Sequence, residues 1–179
     1  PAASIGTLGV KYNDKIIKTK LTSPDTISLH KNLNYLKNKN INNVIIEASS
    51  HGLDQKRLHN IDFNCAIFTN FSQDHLDYHK TMKSYLNAKL ILFKKILRKK
   101  SKIITDNEIQ ILKNLKLIAK RKKLKILDIS KTLEKIDSIS SPSQTNFKNK
   151  NLAMAIEAVK LCGLKEKRIF NSIKKLKQV

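Results

Sequence analysis

The chain has 179 residues and a mass of 20.5 kDa, enough for one domain with a hydrophobic core. Its 36 Lys and Arg against 14 Asp and Glu give a net charge of +22, but the excess is spread along every segment without Trp or interleaved aromatic residues, which argues against a nucleic-acid partner. No apolar run approaches the roughly 18 residues that cross a bilayer, and no basic-then-apolar leader precedes the first strand, so a cytoplasmic protein without a membrane partner is expected.

The basic residues are mostly Lys among abundant Asn and Ile, which share AT-rich codons, so nucleotide bias accounts for the charge without any partner. Cys65 and Cys162 lie in the apolar segments CAIF and KLCGL with no second Cys or His at metal spacing, and are expected to be buried and reduced. The sequence opens at Pro1 without an initiator Met and ends at Val179 inside a lysine-rich helical pattern. It is therefore expected to be a piece of a longer protein; separately, a monomer is expected.

In chain order, Asn13-Asp14 between Val10-Lys-Tyr12 and Ile16-Ile17 suggests a small hairpin. Thr22-Ser23-Pro24-Asp25 then offers a hydroxyl cap, a first-turn proline and an early acid, and Leu29, Leu33 and Leu36 continue as one face of a helix. Three short β-branched runs, 43–48, 64–69 and 102–105, read as strands buried on both faces, with 124–128 a further candidate. Met82 to Leu97 carries a broad apolar stripe. From Lys131 to Lys150 the pattern lapses into Ser, Thr, Asn and Pro and reads as a loop, after which helices at 151–161 and 166–177 close the chain. Strands alternating with helices imply an α/β fold: a mostly parallel, doubly wound sheet flanked by helices.

Ligands of such sheets bind beyond the carboxyl ends of the strands. There the sequence places Glu47-Ala-Ser-Ser-His51 and Asn70-Phe-Ser-Gln-Asp-His75. Glu47 is suited to a hard cation such as Mg2+, or is an ordinary solvated strand end. His75 and His79, at i and i+4, resemble a zinc pair of a metallohydrolase, although no third ligand or HExxH glutamate accompanies them; loop hydrogen bonding is the other reading. Lys89 falls near the middle of the apolar arc formed by Tyr85, Leu86, Leu90, Phe93, Ile96 and Leu97. It either snorkels to water or is a desolvated amine of lowered pKa in a site.

Several blocks together resemble one family. GTLG (6–9), TSPD (22–25), EASSHGLDQKRL (47–58), FTNFSQDHLDYHKTMKSYLNAKLILF (68–93) and the late FKNKNLAMA are similar in order and spacing to the Mur ligases of the MurE type, UDP-N-acetylmuramoyl-peptide ligases of peptidoglycan synthesis. The resemblance covers about Pro1 to Phe93 and Phe147 to Val179, and SSHGLDQKR and DHLDYH are specific to this branch. It implies that residues 1–179 are a central, P-loop NTPase-like ATP-binding domain, cut after the GTNGKT phosphate loop and before the amino-acid-binding C-terminal domain. The implied reaction is the addition of the third amino acid to UDP-MurNAc-L-Ala-D-Glu, with ATP as cosubstrate and an acyl phosphate as intermediate; the fragment alone would not turn over.

Carried onto this sequence, the resemblance implies substrate contacts at Thr22, Ser23, Ser49, Gln55 and Arg57, Mg2+ ligands at Glu47 and His75, and a carbamylated, metal-bridging Lys89. Asn151 matches an asparagine near the adenine of ATP. Leu21 stands where an Asn commonly precedes the Thr pair, Lys148 replaces the first Asn of the FNxxN motif, and the stretch between Asp128 and Phe147 is shorter than in the family. Another superfamily member, such as folylpolyglutamate synthase, shares the architecture and a modified lysine but not the SSHGLDQKR block. Outside enzymes, the alternative is a basic nucleic-acid-binding module whose binding vanishes at modest salt.

Overall fold

The computed structural model describes residues 1–138 and 146–173. These residues form two compact units, the first made of Pro1–Phe63 and Ser72–Leu97, the second of Asn64–Phe71 and the chain from Arg98 onward.

In the first unit, β1 (Ala2–Gly6), β2 (Gly9–Tyr12), β3 (Lys15–Ile17) and β4 (Asn43–Ile46) form one sheet in the order β3-β2-β1-β4. The expected hairpin is present as β2 and β3, which pair antiparallel with Val10 opposite Ile17. Asn13 takes the left-handed conformation that its turn requires (φ 48°). Gly9, at φ +91°, makes the preceding turn, and a β-carbon there would run into the carbonyl oxygen of Ile17. β1 and β4 are parallel, with Ile5 beside Ile46, and the crossover between them is α1 (Thr26–Asn38), whose Leu29 and Leu36 are fully buried.

The start of α1 differs from the sequence expectation. Its N-cap is Asp25, whose carboxylate accepts from the Ser28 N–H at 2.9 Å. That bond also holds the Asp25 carboxyl below the usual carboxylate range. A carboxylate at the cap leaves the hydroxyls of Thr22 and Ser23 for other partners. Beyond β4 come the short α2 (Ser50–Asp54), α3 (Leu76–His79) and α4 (Met82–Ile91), which runs into a π-helical turn at Leu92–Ile96 closed by Leu97 N–H to Leu92 O at 2.8 Å. Of the predicted apolar arc, Tyr85, Leu90, Phe93 and Leu97 are buried.

The second unit has an all-parallel sheet of β5 (Cys65–Ile67), β6 (Lys102–Thr105) and β7 (Lys125–Asp128), in that order, with Ala66 beside Ile103 and Ile103 beside Ile126. The fold class is therefore the expected α/β one with parallel strands and flanking helices, but β4 belongs to a different sheet from the other three predicted strands. The helices are α5 (Leu112–Lys122), α6 (Ser130–Asp137), α7 (Asn146–Leu161) and α8 (Glu166–Ile173). Ile104, Ile129, Ile136, Met154 and Ile156 form the core.

The expected loop from 131 to 150 is largely helical. Leu133 is partly buried and Ile136 fully so, and that apolar edge, docked on the core, outweighs the local Ser and Thr. The rest of that stretch, 139–145, and the end of the last predicted helix, 174–179, lie outside the described residues. Cys162 is exposed just beyond the last turn of α7, contrary to expectation, whereas Cys65 is half-buried and its thiol is pushed up to about 11 by desolvation.

Candidate functional site

The end of β4 and the residues around it build a hydroxyl-rich network in the first unit. The Glu47 N–H still follows the parallel ladder, bonding Ile5 O at 2.8 Å, while its carboxylate oxygen Oε2 accepts from the Thr7 N–H at 2.8 Å and from the Thr7 hydroxyl at 3.0 Å. Both bonds fall on Oε2, so Oε1 is not used by them. Gly6 makes this arrangement possible, because a β-carbon there would lie 2.5 Å from Oε2. The Thr7 hydroxyl is also 3.1 Å from that of Thr22.

Ser23 is buried and its hydroxyl is fully committed. It donates to Glu47 O at 2.8 Å, accepts from the Ser49 N–H at 3.0 Å, and lies 3.0 Å from the Ser49 hydroxyl. Ser49 in turn caps α2 by accepting from the Gly52 N–H at 3.1 Å. Gly52 has to be small, since its β-carbon would meet Ser23 Cβ at 2.6 Å. Arg57 donates through Nη1 to Ser23 O at 3.0 Å and through Nη2 to Gln55 Oε1. Gln55 Nε2 donates to the Tyr78 hydroxyl at 3.2 Å, and that hydroxyl donates to Asp54 Oδ2 at 2.9 Å.

The Tyr78 ring opens a second cluster in the same unit. It lies 4.2 Å from His51 and 4.7 Å from His79, centroid to centroid, and His51 is 4.9 Å from His75 in an edge-on contact. Tyr85 completes the group, 5.9 Å from His75 and 5.4 Å from His79. His75 sits in the left-handed region (φ 54°), where Asp74 receives its N–H at 2.8 Å and lies 3.4 Å from Nε2. His79 is buried, its Nε2 finds no hydrogen-bond partner among the described residues, and desolvation, with His51 adding to it, holds its pKa below the ordinary histidine value.

Lys89 places its ammonium 5.1 Å over the Tyr85 ring. Desolvation lowers its pKa, partly countered by the Asp74 carboxylate. Of the two readings of the apolar arc, this direction favours the desolvated amine over a snorkelling one, since such an amine is easier to keep neutral than a surface lysine. Among the described residues no group of three or more His, Cys, Asp and Glu is gathered so as to hold a metal ion, and the zinc-pair reading finds no third ligand of those types.

Asn151 lies in the second unit, half-buried on α7. Its neighbour Lys150 is tied to Asp106 at 2.5 Å and to Glu108 at 2.9 Å, which raises the lysine pKa and anchors this part of α7 to the segment after β6.

Comparison with known proteins shows the family of the chain. Residues 2–170 match the family described as the Mur ligase middle domain. The chain belongs to this family.

Among curated relatives of this Mur ligase chain, the UDP-N-acetylmuramoyl-L-alanyl-D-glutamate--2,6-diaminopimelate ligase of Rickettsia bellii is 35% identical over 205 residues, covering 99% of this chain and 43% of that protein. The enzyme of the same name from Wigglesworthia glossinidia brevipalpis is 51% identical over 92 residues, covering 51% of this chain and 18% of that protein. A solved structure of a ligase of that name superposes with a TM-score of 0.75 over 99% of this chain and 41% of the other, at 22% identity, and so supports the fold. The chain thus spans between 18 and 43% of the length of these curated relatives. The Rickettsia match runs over 205 residues against 179 here, so that relative has residues without a counterpart in this Mur ligase chain.

The five positions matched to substrate contacts, Thr22, Ser23, Ser49, Gln55 and Arg57, fall in one connected network, and His75 and Lys89 both flank Tyr85. Sequence reasoning gave no role to Thr7, His51, Asp54, Tyr78 or Tyr85. His51 and Tyr78 lie inside the two most distinctive blocks of the sequence, and that was the signal available for them.

Proposed function

We propose that this chain is the central, ATP-binding part of a ligase that adds 2,6-diaminopimelate to UDP-MurNAc-L-Ala-D-Glu in peptidoglycan precursor synthesis. The observation that carries the reading is the single network joining Thr22, Ser23, Ser49, Gln55 and Arg57 in a chain of the Mur ligase family. The amino acid is taken from the relatives' names. In the reaction the terminal carboxylate of the dipeptide attacks the γ-phosphorus of ATP and ADP leaves. The amine then attacks the acyl phosphate carbonyl, losing a proton as phosphate departs.

Arg57 is held by Ser23 O and Gln55, so the remainder of its fork is pre-oriented for an anionic group of the nucleotide-sugar peptide. Ser23 acts by holding Ser49 and the Glu47 backbone. Asn151 contacts the adenine of ATP. The donor types suit Mg2+, which would be held by Glu47, whose Oε1 lies outside the Thr7 bonds, by the exposed His75, and by Lys89, a desolvated amine suited to adding CO2, forming an N–C bond and releasing a proton to give a carbamate. Bound there, Mg2+ would supply charge neutralisation for the phosphates. The protein acts as a soluble cytoplasmic monomer.

The test is steady-state kinetics of the full-length protein carrying these residues. Arg57→Ala is expected to raise the KM for UDP-MurNAc-dipeptide by about 10-fold or more, the loss of a charge-assisted contact, while the KM for ATP changes little. Lys89→Ala should abolish turnover, with acetate or formate restoring part of it. Unchanged substrate kinetics in Arg57→Ala would remove the network from the site.

A further inference from the structure

Tyr78 is the only residue among those described above that belongs to both clusters. Its hydroxyl accepts from Gln55 Nε2 at 3.2 Å and donates to Asp54 Oδ2 at 2.9 Å, while its ring packs 4.2 Å from His51 and 4.7 Å from His79. The two polar partners adjoin in sequence at the end of α2, and the two imidazoles come from different helices, α2 and α3. About a third of Tyr78 is exposed (36%), so its burial alone does not explain why this ring and this hydroxyl are held so closely.

The polarity of the chain of bonds is fixed. Arg57 can only donate, so it selects Oε1 of Gln55 as acceptor, and the Gln55 amide must then present N–H to Tyr78. The phenol accepts that N–H and passes its own proton to the Asp54 carboxylate, an acceptor with no proton to give. Each group thereby has one orientation. Gln55 cannot flip without facing its N–H2 toward the guanidinium, and the guanidinium cannot turn without losing Gln55. On the other side, the Tyr78 ring, tilted 44° to His51 with centroids 4.2 Å apart, limits rotation of His51, which stands edge-on to His75.

We propose that Tyr78 is a positioning residue that couples the two halves of the site: its hydroxyl sets Gln55 and through it Arg57 on the substrate side, and its ring sets His51 and through it His75 on the metal side. The inference rests on the proposed substrate and metal roles of Arg57 and His75. A residue that only stabilised the fold would shift the melting temperature without separating these two readouts. A coupling residue separates them according to which part of it is removed.

Two variants make the separation. Tyr78→Phe keeps the ring and removes the hydroxyl; Tyr78→Leu removes both. In the full-length protein, Tyr78→Phe is expected to raise the KM for UDP-MurNAc-dipeptide about fivefold, the equivalent of one hydrogen bond, with kcat and the Mg2+ concentration for half-maximal rate unchanged. Tyr78→Leu should show the same rise in KM and, in addition, a rise of about 10-fold in the Mg2+ requirement, as loss of support around a metal ligand produces. Nuclear magnetic resonance of the 179-residue chain gives a readout independent of turnover: the Gln55 side-chain amide, ordered in the wild type, should become mobile in Tyr78→Phe and in Tyr78→Leu. Wild-type amide order in Tyr78→Phe overturns the inference whatever the activity of the protein. So does a Tyr78→Phe enzyme with wild-type KM when Arg57→Ala raises it. If Arg57→Ala has no effect while the Gln55 amide still loosens, the substrate assignment fails and the positioning of Gln55 by Tyr78 stands.

Discussion

Replacing Ser23 with alanine isolates the contribution of the hydroxyl network to the fold. Ser23 has no measurable exposure (0%), and its Oγ joins Glu47 O at 2.8 Å, Ser49 N at 3.0 Å and Ser49 Oγ at 3.0 Å. Alanine fits the space but leaves one carbonyl and one N–H without their partner. An unsatisfied polar group costs about 1–3 kcal/mol, toward the lower end where water reaches it. Glu47 is exposed and Ser49 half-buried, so the two groups together should cost about 2–3 kcal/mol. At about 2–4 °C per kcal/mol for a chain of this length, the melting temperature should fall by roughly 4–12 °C. Scanning calorimetry on wild type, Ser23→Ala, Ser49→Ala and the double variant measures it. Ser49→Ala alone should cost about 1 kcal/mol through the lost α2 cap, and the double variant should cost less than the sum because the two hydroxyls share a bond. A fall under about 2 °C for Ser23→Ala, or a rise in substrate KM with no change in melting, would refute the assignment of Ser23 as a buried strut.

Two further predictions concern other parts of the molecule. Gly6→Ala places a β-carbon 2.5 Å from Glu47 Oε2 and 3.0 Å from Glu47 Cβ, so the carboxylate must leave Thr7; in the full-length protein the Mg2+ concentration for half-maximal rate of the proposed ligase reaction should rise by about 10- to 100-fold, and an unchanged Mg2+ dependence would count against Glu47 as a ligand. At pH 8 a thiol reagent should modify the exposed Cys162 and spare Cys65, whose thiol is pushed up to about 11 by burial. Because the folded-state value lies above the ordinary 9.0, the unfolded chain gives up this proton first: the Cys65 contribution to stability is intact below pH 9 and is lost as pH rises from 9 toward 11. Urea melts of wild type and Cys65→Ala over that range should converge, and parallel curves would contradict the burial argument.

Much of the fold was legible locally. Short β-branched runs marked β4, β5, β6 and β7, although the expected burial on both faces fails at β4, where Ile45 is 63% exposed, and Asn13-Asp14 marked the hairpin because few residues tolerate its backbone. The arc around Lys89 left snorkelling and a desolvated amine both open, because helical periodicity decides only which residues share a face, and burial in the folded chain is what lowers the pKa. The family blocks named Thr22, Ser23, Ser49, Gln55 and Arg57, but from the sequence they were five separate positions.

Tertiary structure decided which of them meet. Thr22-Ser23-Pro24-Asp25 contains several competent caps, and only the folded chain shows Asp25 in that role while Glu47 and Ser49, more than 20 residues away, hold the Ser23 hydroxyl. The helix at Ser130–Asp137 forms against a polar local sequence because Ile136 docks into a core supplied by β6, α7 and α8. Strand runs carry no label for the sheet they join, so β4 pairing with β1, apart from β5, β6 and β7, came only from the assembled backbone. The same holds for Tyr78, three residues after His75 in the sequence, which gains a place in the network only when folding sets its hydroxyl on Gln55 and Asp54 and its ring on His51. Residue type and spacing are fixed along the chain, whereas a hydrogen bond between residues 23 apart exists only once the intervening chain has been folded to bring them within 3.2 Å.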